Sequence, residues 1–256
     1  MIVVDQNPDD RLTAVVDEYG ALYPILHLRT KRVGASAARN EGLRQSRSDL
    51  VAFPDDDCRY PPDLLEKVAW FFDHHPEVDG LTGRLVDEQG QSSILDFDLD
   101  PGPLDAMNVW TRSIEATMFL RGKSACKFRF DENLGRGSGT AWESGEGTDY
   151  LLQLLSEGAS LYYEPSLNVL HPQPVPPYDA KAMRRAYEYG CGRGRVLVKH
   201  EYPLRERAKT LVGPLKRAVV CAADLRTAEA RYHWKVFRGR SRGLVGKVDV
   251  LAGPRR

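Results

Sequence analysis

Short apolar segments alternate with helix-forming segments over the first part of the chain. Apolar runs of strand length occur at 2–5, 25–28 and 50–53. Segments with helix-forming composition follow them at 11–19, 35–45 and 62–74. Because a strand and a helix follow one another repeatedly, the pattern predicts an α/β fold in which helices cover a central, mostly parallel sheet.

The middle of the chain is less regular and ends at a group of prolines. We expect a helix at 146–156 and strands at 78–86, 116–120, 160–163 and 167–170. The segment 135–147 holds five glycines and few apolar residues, which is typical of a loop. A basic, helical pattern begins after the prolines at Pro172, Pro174, Pro176 and Pro177. The sequence therefore predicts one domain at 1–177 and a basic helical extension at 178–256.

The formal net charge of the 256-residue chain is zero, but the charges are divided unevenly. Residues 178–256 hold 20 of the 36 Lys and Arg and 7 of the 36 Asp and Glu, which leaves 16 basic and 29 acidic residues in 1–177. Basic amphipathic helices bind anionic membrane surfaces, bind nucleic acid, or pack on their own protein. Since no nucleic-acid motif accompanies the charge, we expect membrane contact or packing, and no nucleic-acid partner.

Cysteine usage and hydropathy favour a cytoplasmic protein. None of the four cysteines forms a C-x-x-C pair, and the sequence shows no signal-peptide pattern. No run reaches the ~18–20 apolar residues of a membrane-spanning helix. The nearest candidate, 211–225, contains Lys216, Arg217 and Asp224. Any membrane contact is therefore expected to be peripheral, at the inner face of the plasma membrane.

Three adjacent carboxylates form the clearest candidate for a binding site. Asp55, Asp56 and Asp57 follow the apolar run 50–53. Ligands of open α/β sheets bind at the carboxyl ends of strands, and neighbouring carboxylates that repel one another favour a cation such as Mg²⁺ or Mn²⁺. The alternative is a solvated acidic turn that caps the next helix. An EF-hand loop is excluded, because its sixth position would be Tyr60 rather than glycine.

Further candidates lie in the second half of the chain. Glu143, Glu146 and Asp149 begin the helix at 146–156, where acids are often only partners of the helix dipole. His171 follows a strand, a place that suits a ligand, although a lone histidine is more often structural. Trp142 offers an aromatic face on which a sugar ring packs, and ordinary loop packing is the alternative.

The order of these segments resembles glycosyltransferase family 2, which has the GT-A fold. The matching segments are 3–5, 34–42, 53–57, 61–65, 130–135, 144–149, 163–165 and 169–171. Each segment alone is weak evidence, whereas their joint order and spacing are strong. The resemblance covers about residues 2–175 and favours the site interpretation of Asp55, Asp56, Asp57 and Glu146.

The resemblance implies transfer of a sugar from a nucleoside diphosphate donor to the hydroxyl of a saccharide, lipid-linked or other acceptor. Asp55 and Asp57 would form the D-x-D pair that holds Mn²⁺ or Mg²⁺ on the diphosphate, and His171 would reach the metal or the diphosphate. Such a metal acts as a Lewis acid on the leaving group. The residues implied to contact or flank the donor nucleotide are Asp5, Arg39, Asn40, Asp55 and Asp56.

An inverting displacement also needs a base on the opposite face of the sugar, and a carboxylate suits this role. Gly147 stands where many relatives carry an aspartate. We therefore expect Glu146 to be the base and Asp149 to support it, with Trp142 as the acceptor platform.

The family pattern begins before the first residue of this chain. Its members have a strand and a turn that line the nucleotide pocket ahead of the strand matched by 2–5. We therefore expect the natural reading frame to extend upstream by roughly 30–45 residues, the length of one strand–helix unit. Two alternatives stay open. One is a catalytically impaired relative that binds a partner or membrane through the basic helices. The other is a nucleotidyltransferase, which would release pyrophosphate.

Overall fold

A computed structural model describes residues 1–172 and 178–246 of the chain. The strands are β1 Ile2–Asp5, β2 Leu26–Arg29, β3 Leu50–Ala52, β4 Gly80–Val86, β5 Gly102–Pro103, β6 Met118–Arg121 and β7 Leu161–Leu170. The helices are α1 Thr13–Gly20, α2 Ala35–Gln45, α3 Leu64–His74, α4 Val109–Arg112, α5 Gly122–Ala125, α6 Glu146–Ser156, α7 Ala180–Lys199, α8 Leu204–Ala223 and α9 Thr227–Val245, with a 3₁₀ turn at Glu115–Thr117.

The described chain forms two compact units. The first contains 1–42, 130–149 and 178–246, and the second contains 43–129 and 150–172. The predicted boundary between 177 and 178 falls beside prolines at 174, 176 and 177 that lie outside the described residues. The division into 1–177 and 178–256 therefore stays a prediction.

The second unit is built on a five-stranded sheet with the order β3-β6-β4-β7-β5. Only the β4–β7 pair is parallel, while β3–β6, β4–β6 and β5–β7 are antiparallel. The prediction of an α/β fold is confirmed, but the sheet is mixed rather than mostly parallel. A local hydrophobic pattern identifies a strand without fixing the direction of its partner, and this explains the difference.

The segments 160–163 and 167–170, which were expected as two strands, form the single strand β7. Its pairing with β4 shifts register between Thr82 and Arg84, so one irregularity separates two regular halves. Gly83 lies at this shift, where a Cβ atom would be 2.1 Å from the Leu167 carbonyl oxygen. A side chain larger than hydrogen therefore cannot stand there without moving β7.

The core of the second unit lies on this sheet. Leu81, Leu85, Met118, Leu120 and Val169 are at most 1% exposed. One face of α3, with its buried residues four positions apart at Leu64, Val68 and Phe72, is also closed off from solvent. Burying each such side chain stabilises the fold by about 1.5–3 kcal/mol.

The first unit combines a small parallel sheet with the helices of the basic extension. β1 pairs with β2 from Ile2 opposite Leu26 to Asp5 opposite Arg29. Helices α7 and α9 pack backbone to backbone, because a Cβ atom on Gly239 would lie 2.1 Å from the Tyr187 carbonyl oxygen. None of the helices in the described ranges is both long enough and apolar enough to cross a membrane.

Candidate functional site

The acidic turn of the second unit follows β3 directly. Phe53 is 8% exposed, and the next residues carry the chain outward, with Asp55 half-buried and Asp56 and Asp57 exposed. The Cys58 N–H donates to the Asp55 carbonyl at 3.2 Å and closes the turn. The structure therefore places the three carboxylates at the carboxyl end of a sheet strand, as expected from the sequence.

His171 meets this turn because the backbone of β7 runs beside it. Arg59 and Leu170 form an antiparallel bridge and exchange both backbone hydrogen bonds at 2.9 Å. The neighbouring pair, Cys58 and His171, is thereby brought face to face. Nε2 of His171 lies 3.6 Å from Oδ2 of Asp57.

The donor atoms of this cluster fit a divalent cation. Asp57, Cys58 and His171 each offer one ligand atom, and these atoms lie within 4.8 Å of one another. Burial, together with the charges of Asp55 and Asp57, raises the pKa of the Cys58 thiol to about 12. The negative charges of Asp55 and Asp57, which are the smaller cause of this rise, also attract a cation. Two of the three predicted metal ligands, Asp57 and His171, are thus adjacent; Asp55 begins the same turn but is outside the cluster.

Glu146 lies in the first unit, at the first position of α6. Its Oε1 atom accepts a hydrogen bond from Nη1 of Arg39 at 3.1 Å, and the two side chains are 10% and 17% exposed. Gly135, with φ of 94°, folds over the carboxylate: a Cβ atom there would be 2.7 Å from Cδ of Glu146. The predicted base is therefore a nearly buried carboxylate whose orientation is set by an arginine.

Asp149, one turn further along α6, is completely buried and has basic partners at the end of α7 and directly after it. Nζ of Lys199 lies 2.8 Å from its Oδ1, and Nε2 of His200 lies 2.8 Å from the same oxygen. Lys199 also donates to Asp131 at 2.8 Å. Burial lowers the pKa of Lys199, but the bonds to Asp131 and Asp149 outweigh it and the net pKa is raised. The lysine is therefore a charged bridge between two carboxylates.

Sequence reasoning did not single out Lys199, His200 or Cys58. Lys199 and His200 end a helix in a region where basic residues are common, so no local signal distinguishes them. Cys58 follows the acidic run directly, and that adjacency is the one signal that would have drawn attention to it.

Asp5 ends β1 and is 2% exposed. Its Oδ1 accepts from the backbone and side-chain N–H groups of Asn7 at 2.8 and 2.7 Å, and Nε2 of His27 lies 3.1 Å from Oδ2. The backbone hydrogen bond from Asn7 is the largest cause of a lowered Asp5 pKa, and His27 adds to it. Asp5 is thus a fixed anion at a strand end.

Asn40 is 2% exposed, and its side chain holds the segment that leads into the glycine-rich loop. Its Nδ2 donates to the Phe130 carbonyl at 2.9 Å and to Oε1 of Glu132 at 3.0 Å, while its Oδ1 accepts from the Phe130 N–H at 2.8 Å. These three hydrogen bonds explain the burial of the Asn40 side chain without a bound ligand. Neighbouring Arg39, by contrast, places its guanidinium 5.6 Å from the Phe130 ring centre and bonds Glu146.

Trp142 is 3% exposed, and the Arg195 guanidinium lies 4.7 Å from the centre of its ring. The ring is enclosed within the first unit between its loop and α7. This placement favours the packing alternative over the acceptor platform, because a sugar would first have to displace Arg195.

Comparisons with known proteins agree with the resemblance drawn from the sequence. Residues 1–101 match the family model "Glycosyl transferase family 2". "Beta-monoglucosyldiacylglycerol synthase" of Synechocystis sp. is 32% identical over 122 residues, which cover 46% of this chain and 22% of that protein. The curated relatives that the chain matches are longer, since it spans between 16% and 54% of their length. The predicted resemblance to family 2 is confirmed.

Solved structures support the fold class. The "Crystal structure of S. aureus TarS" superposes with a TM-score of 0.57 at 16% identity, covering 94% of this chain and 49% of that one. "Mannosyltransferase PcManGT from Pyrobaculum calidifontis in complex with GDP-Man and Mn2+" superposes with a TM-score of 0.57 at 14% identity, covering 95% and 77%. At these identities the likeness establishes the fold, a GT-A-like α/β architecture.

Proposed function

Since its first 101 residues match glycosyltransferase family 2, we propose that the chain transfers a sugar from a nucleoside diphosphate donor to an acceptor hydroxyl with inversion. The observation that carries the proposal is the pair formed by Asp57 and His171, 3.6 Å apart at the carboxyl end of β3. The donor set of this cluster suits a divalent cation, and the leaving group of such a donor is a diphosphate that needs one.

The metal would be held by Asp57 and His171, with Asp55 completing the D-x-D pair. Bound Mn²⁺ or Mg²⁺ supplies a Lewis acid for the charge that develops on the leaving diphosphate. The PcManGT structure is a complex with GDP-Man and Mn²⁺, which supports divalent metal use for this fold. Asp56, exposed in the same turn, would lie beside the donor.

Glu146 is proposed as the base. The acceptor oxygen would bond to the anomeric carbon while the bond from that carbon to the diphosphate oxygen breaks, and the hydroxyl proton would pass to a Glu146 carboxylate oxygen. The ion pair with Arg39 supports the proposal, because it holds the Glu146 carboxylate in one orientation. Asp149, bound to Lys199 and His200, would hold the start of α6 in place rather than touch the substrate.

Side chains of the first unit that are held by hydrogen bonds would also take part in donor binding. Asp5 would accept hydrogen bonds from the nucleotide base, with Arg39 beside it. Asn40 would act on the same site by holding 130–132 in place. Trp142 would join the acceptor site only if Arg195 moves off its ring.

The acceptor side includes a candidate membrane surface on α8. Leu204, Val212 and Val219 are 79%, 60% and 61% exposed, and they fall on one side of the helix. The exposed basic residues along the same side are Arg205, Lys209 and Lys216. An apolar stripe edged by cations is the pattern of a helix that lies in an anionic lipid surface. This face supports a peripheral location at the inner side of the plasma membrane and a lipid-linked acceptor.

A screen of nucleotide sugars with Mn²⁺, read out as release of nucleoside diphosphate, tests the function. The double variant Asp55→Ala/Asp57→Ala is the matched control, since it removes charges that repel one another and leaves the core untouched. We expect release with one donor from the wild type and none from the variant. Release of pyrophosphate would instead identify a nucleotidyltransferase. Tight donor binding without turnover would identify the impaired relative, and metal-dependent affinity unchanged in the variant would exclude this metal site.

A further inference from the structure

A thiol lies beside the proposed metal ligands at the end of β3. Sγ of Cys58 is 3.9 Å from Oδ1 of Asp57, and Nε2 of His171 is 3.6 Å from Oδ2 of the same residue. Bond lengths of about 2.0–2.3 Å around a tetrahedral Zn²⁺ put neighbouring ligand atoms roughly 3.3–3.5 Å apart. The three ligand atoms lie within 4.8 Å of one another, so side-chain rotations that move them by about an ångström bring all three donors onto one ion.

The backbone brings the side chains of Asp57, Cys58 and His171 together. The antiparallel bridge between Arg59 and Leu170 makes Cys58 and His171 opposite neighbours, and the turn bond from the Cys58 N–H to Asp55 fixes the preceding residues. Cys58 is half-buried, and the His171 side chain is 11% exposed. The cluster is therefore part of the fold rather than a meeting of flexible surface side chains.

The histidine is also oriented for ligation. Ser93 Oγ lies 3.1 Å from Nδ1 of His171 and 3.3 Å from the Pro172 carbonyl oxygen, so the ring nitrogen remote from Asp57 has a hydrogen-bond partner. When Ser93 accepts from the Nδ1–H group, the lone pair of the ring is on Nε2, which faces Asp57. A hydrogen bond to the remote ring nitrogen of this kind is how proteins fix the tautomer of a metal-binding histidine.

From this geometry we infer that Cys58 is a third ligand of the cation, and that the site binds a thiophilic divalent cation such as Zn²⁺ in preference to Mg²⁺. The inference rests on the proposed metal site, because it shares Asp57 and His171 with it. Thiolate and imidazole ligands select Zn²⁺ and Co²⁺, whereas carboxylates and water suit Mg²⁺ and Mn²⁺. Binding replaces the S–H bond by a metal–sulfur bond and releases the thiol proton to solvent. Zn²⁺ therefore competes with Mn²⁺ for the same carboxylate.

Titration with Co²⁺ tests the sulfur ligand directly, since a cobalt–thiolate bond gives a charge-transfer absorption that oxygen and nitrogen ligands do not. The variants are Cys58→Ser and, as the matched control, Cys126→Ser, which changes the other half-buried cysteine of the same unit. We expect the band in the wild type and in Cys126→Ser but not in Cys58→Ser. Zn²⁺ should displace Co²⁺ and should bind Cys58→Ser at least about 10-fold more weakly.

Each outcome of the Co²⁺ titration decides whether Cys58 is a metal ligand. Co²⁺ bound by the wild type without a sulfur band overturns the inference whether or not the variant folds, and so does a band that persists in Cys58→Ser. Metal-dependent sugar transfer by a protein that lacks the band would leave the proposed function standing without Cys58 as a ligand. A cysteine-dependent band in a protein that transfers no sugar would leave Cys58 standing as a metal ligand and would exclude the proposed function.

Discussion

Nζ of Lys199 lies 2.8 Å from Oδ1 and 2.9 Å from Oδ2 of Asp149. The last residue of α7 therefore contacts both oxygens of a completely buried carboxylate. The same ammonium group reaches Asp131 at 2.8 Å. The basic extension is therefore tied into the first unit by a specific charge bridge at the start of α6, the helix that begins with Glu146.

Lys199→Met removes this bridge and leaves Asp131 and Asp149 without their shared cation. A buried charge that loses its partner costs about 3–5 kcal/mol, and the lower end applies because Lys199 is 28% exposed. We expect the free energy of unfolding, measured in urea, to fall by about 3 kcal/mol. Lys209→Met is the control, since Lys209 is 54% exposed and pairs with Glu206 on the surface. Its cost should stay below about 1 kcal/mol, and equal effects of the two variants would contradict the bridge.

Acid should weaken the first unit through Asp131. Burial raises the pKa of Asp131, but hydrogen bonds from Lys199 and the Asn133 N–H outweigh it, and the net pKa is lowered. The unfolded chain therefore binds a proton more readily than the folded one. The stabilisation is complete above the ordinary carboxyl pKa, about 3.9, and is lost as the pH falls through the lower folded value. Urea midpoints of Asp131→Asn should vary less with pH below about 4 than those of the wild type. Parallel pH profiles would show that Asp131 is not responsible.

The close packing of α7 on α9 gives a stability prediction with an internal control. A Cβ atom on Gly239 would lie 2.1 Å from the Tyr187 carbonyl oxygen, whereas one on Gly213 of α8 would meet nothing within 4 Å. Gly239→Ala should lower the free energy of unfolding by about 1–3 kcal/mol, because the backbones must separate. Gly213→Ala should raise it by up to about 1 kcal/mol, because alanine favours a helix. Stabilisation by both substitutions would mean that the helices do not touch at Gly239.

The features that were predicted correctly from the sequence are those that a local pattern of residues determines. Helix α2 at 35–45 and helix α6 at 146–156 have the expected bounds, because helix-forming composition after Gly34 marks the first and an apolar face marks the second. The mixed sheet was missed because strand direction depends on partners that are distant in the chain. The same reason hid the meeting of Cys58 with His171, which follows from the bridge between Arg59 and Leu170. The support of Glu146 by Asp149 stays a prediction, and no local pattern pointed to Lys199 and His200 as the partners of Asp149.

The catalytic prediction separates the two carboxylates of α6. Glu146 keeps some exposure and an arginine partner, while Asp149 has none of its side chain exposed and is bonded to two basic groups. A base must reach the acceptor proton, so the carboxylate that keeps 10% of its side chain exposed is the candidate, and the completely buried one is a positioning residue. Glu146→Gln should lower kcat by about 10²–10⁴-fold, with the dissociation constant of the donor unchanged.

Asp149→Asn should do less harm to kcat but should lower the melting temperature, because it leaves Lys199 and His200 with an uncharged partner. Steady-state kinetics and thermal unfolding of both variants make the test. Normal transfer by Glu146→Gln together with a folded but inactive Asp149→Asn would reverse the assignment. If neither substitution changes kcat in an active enzyme, the proton goes to a group outside α6, and the charge bridge from α7 serves stability alone.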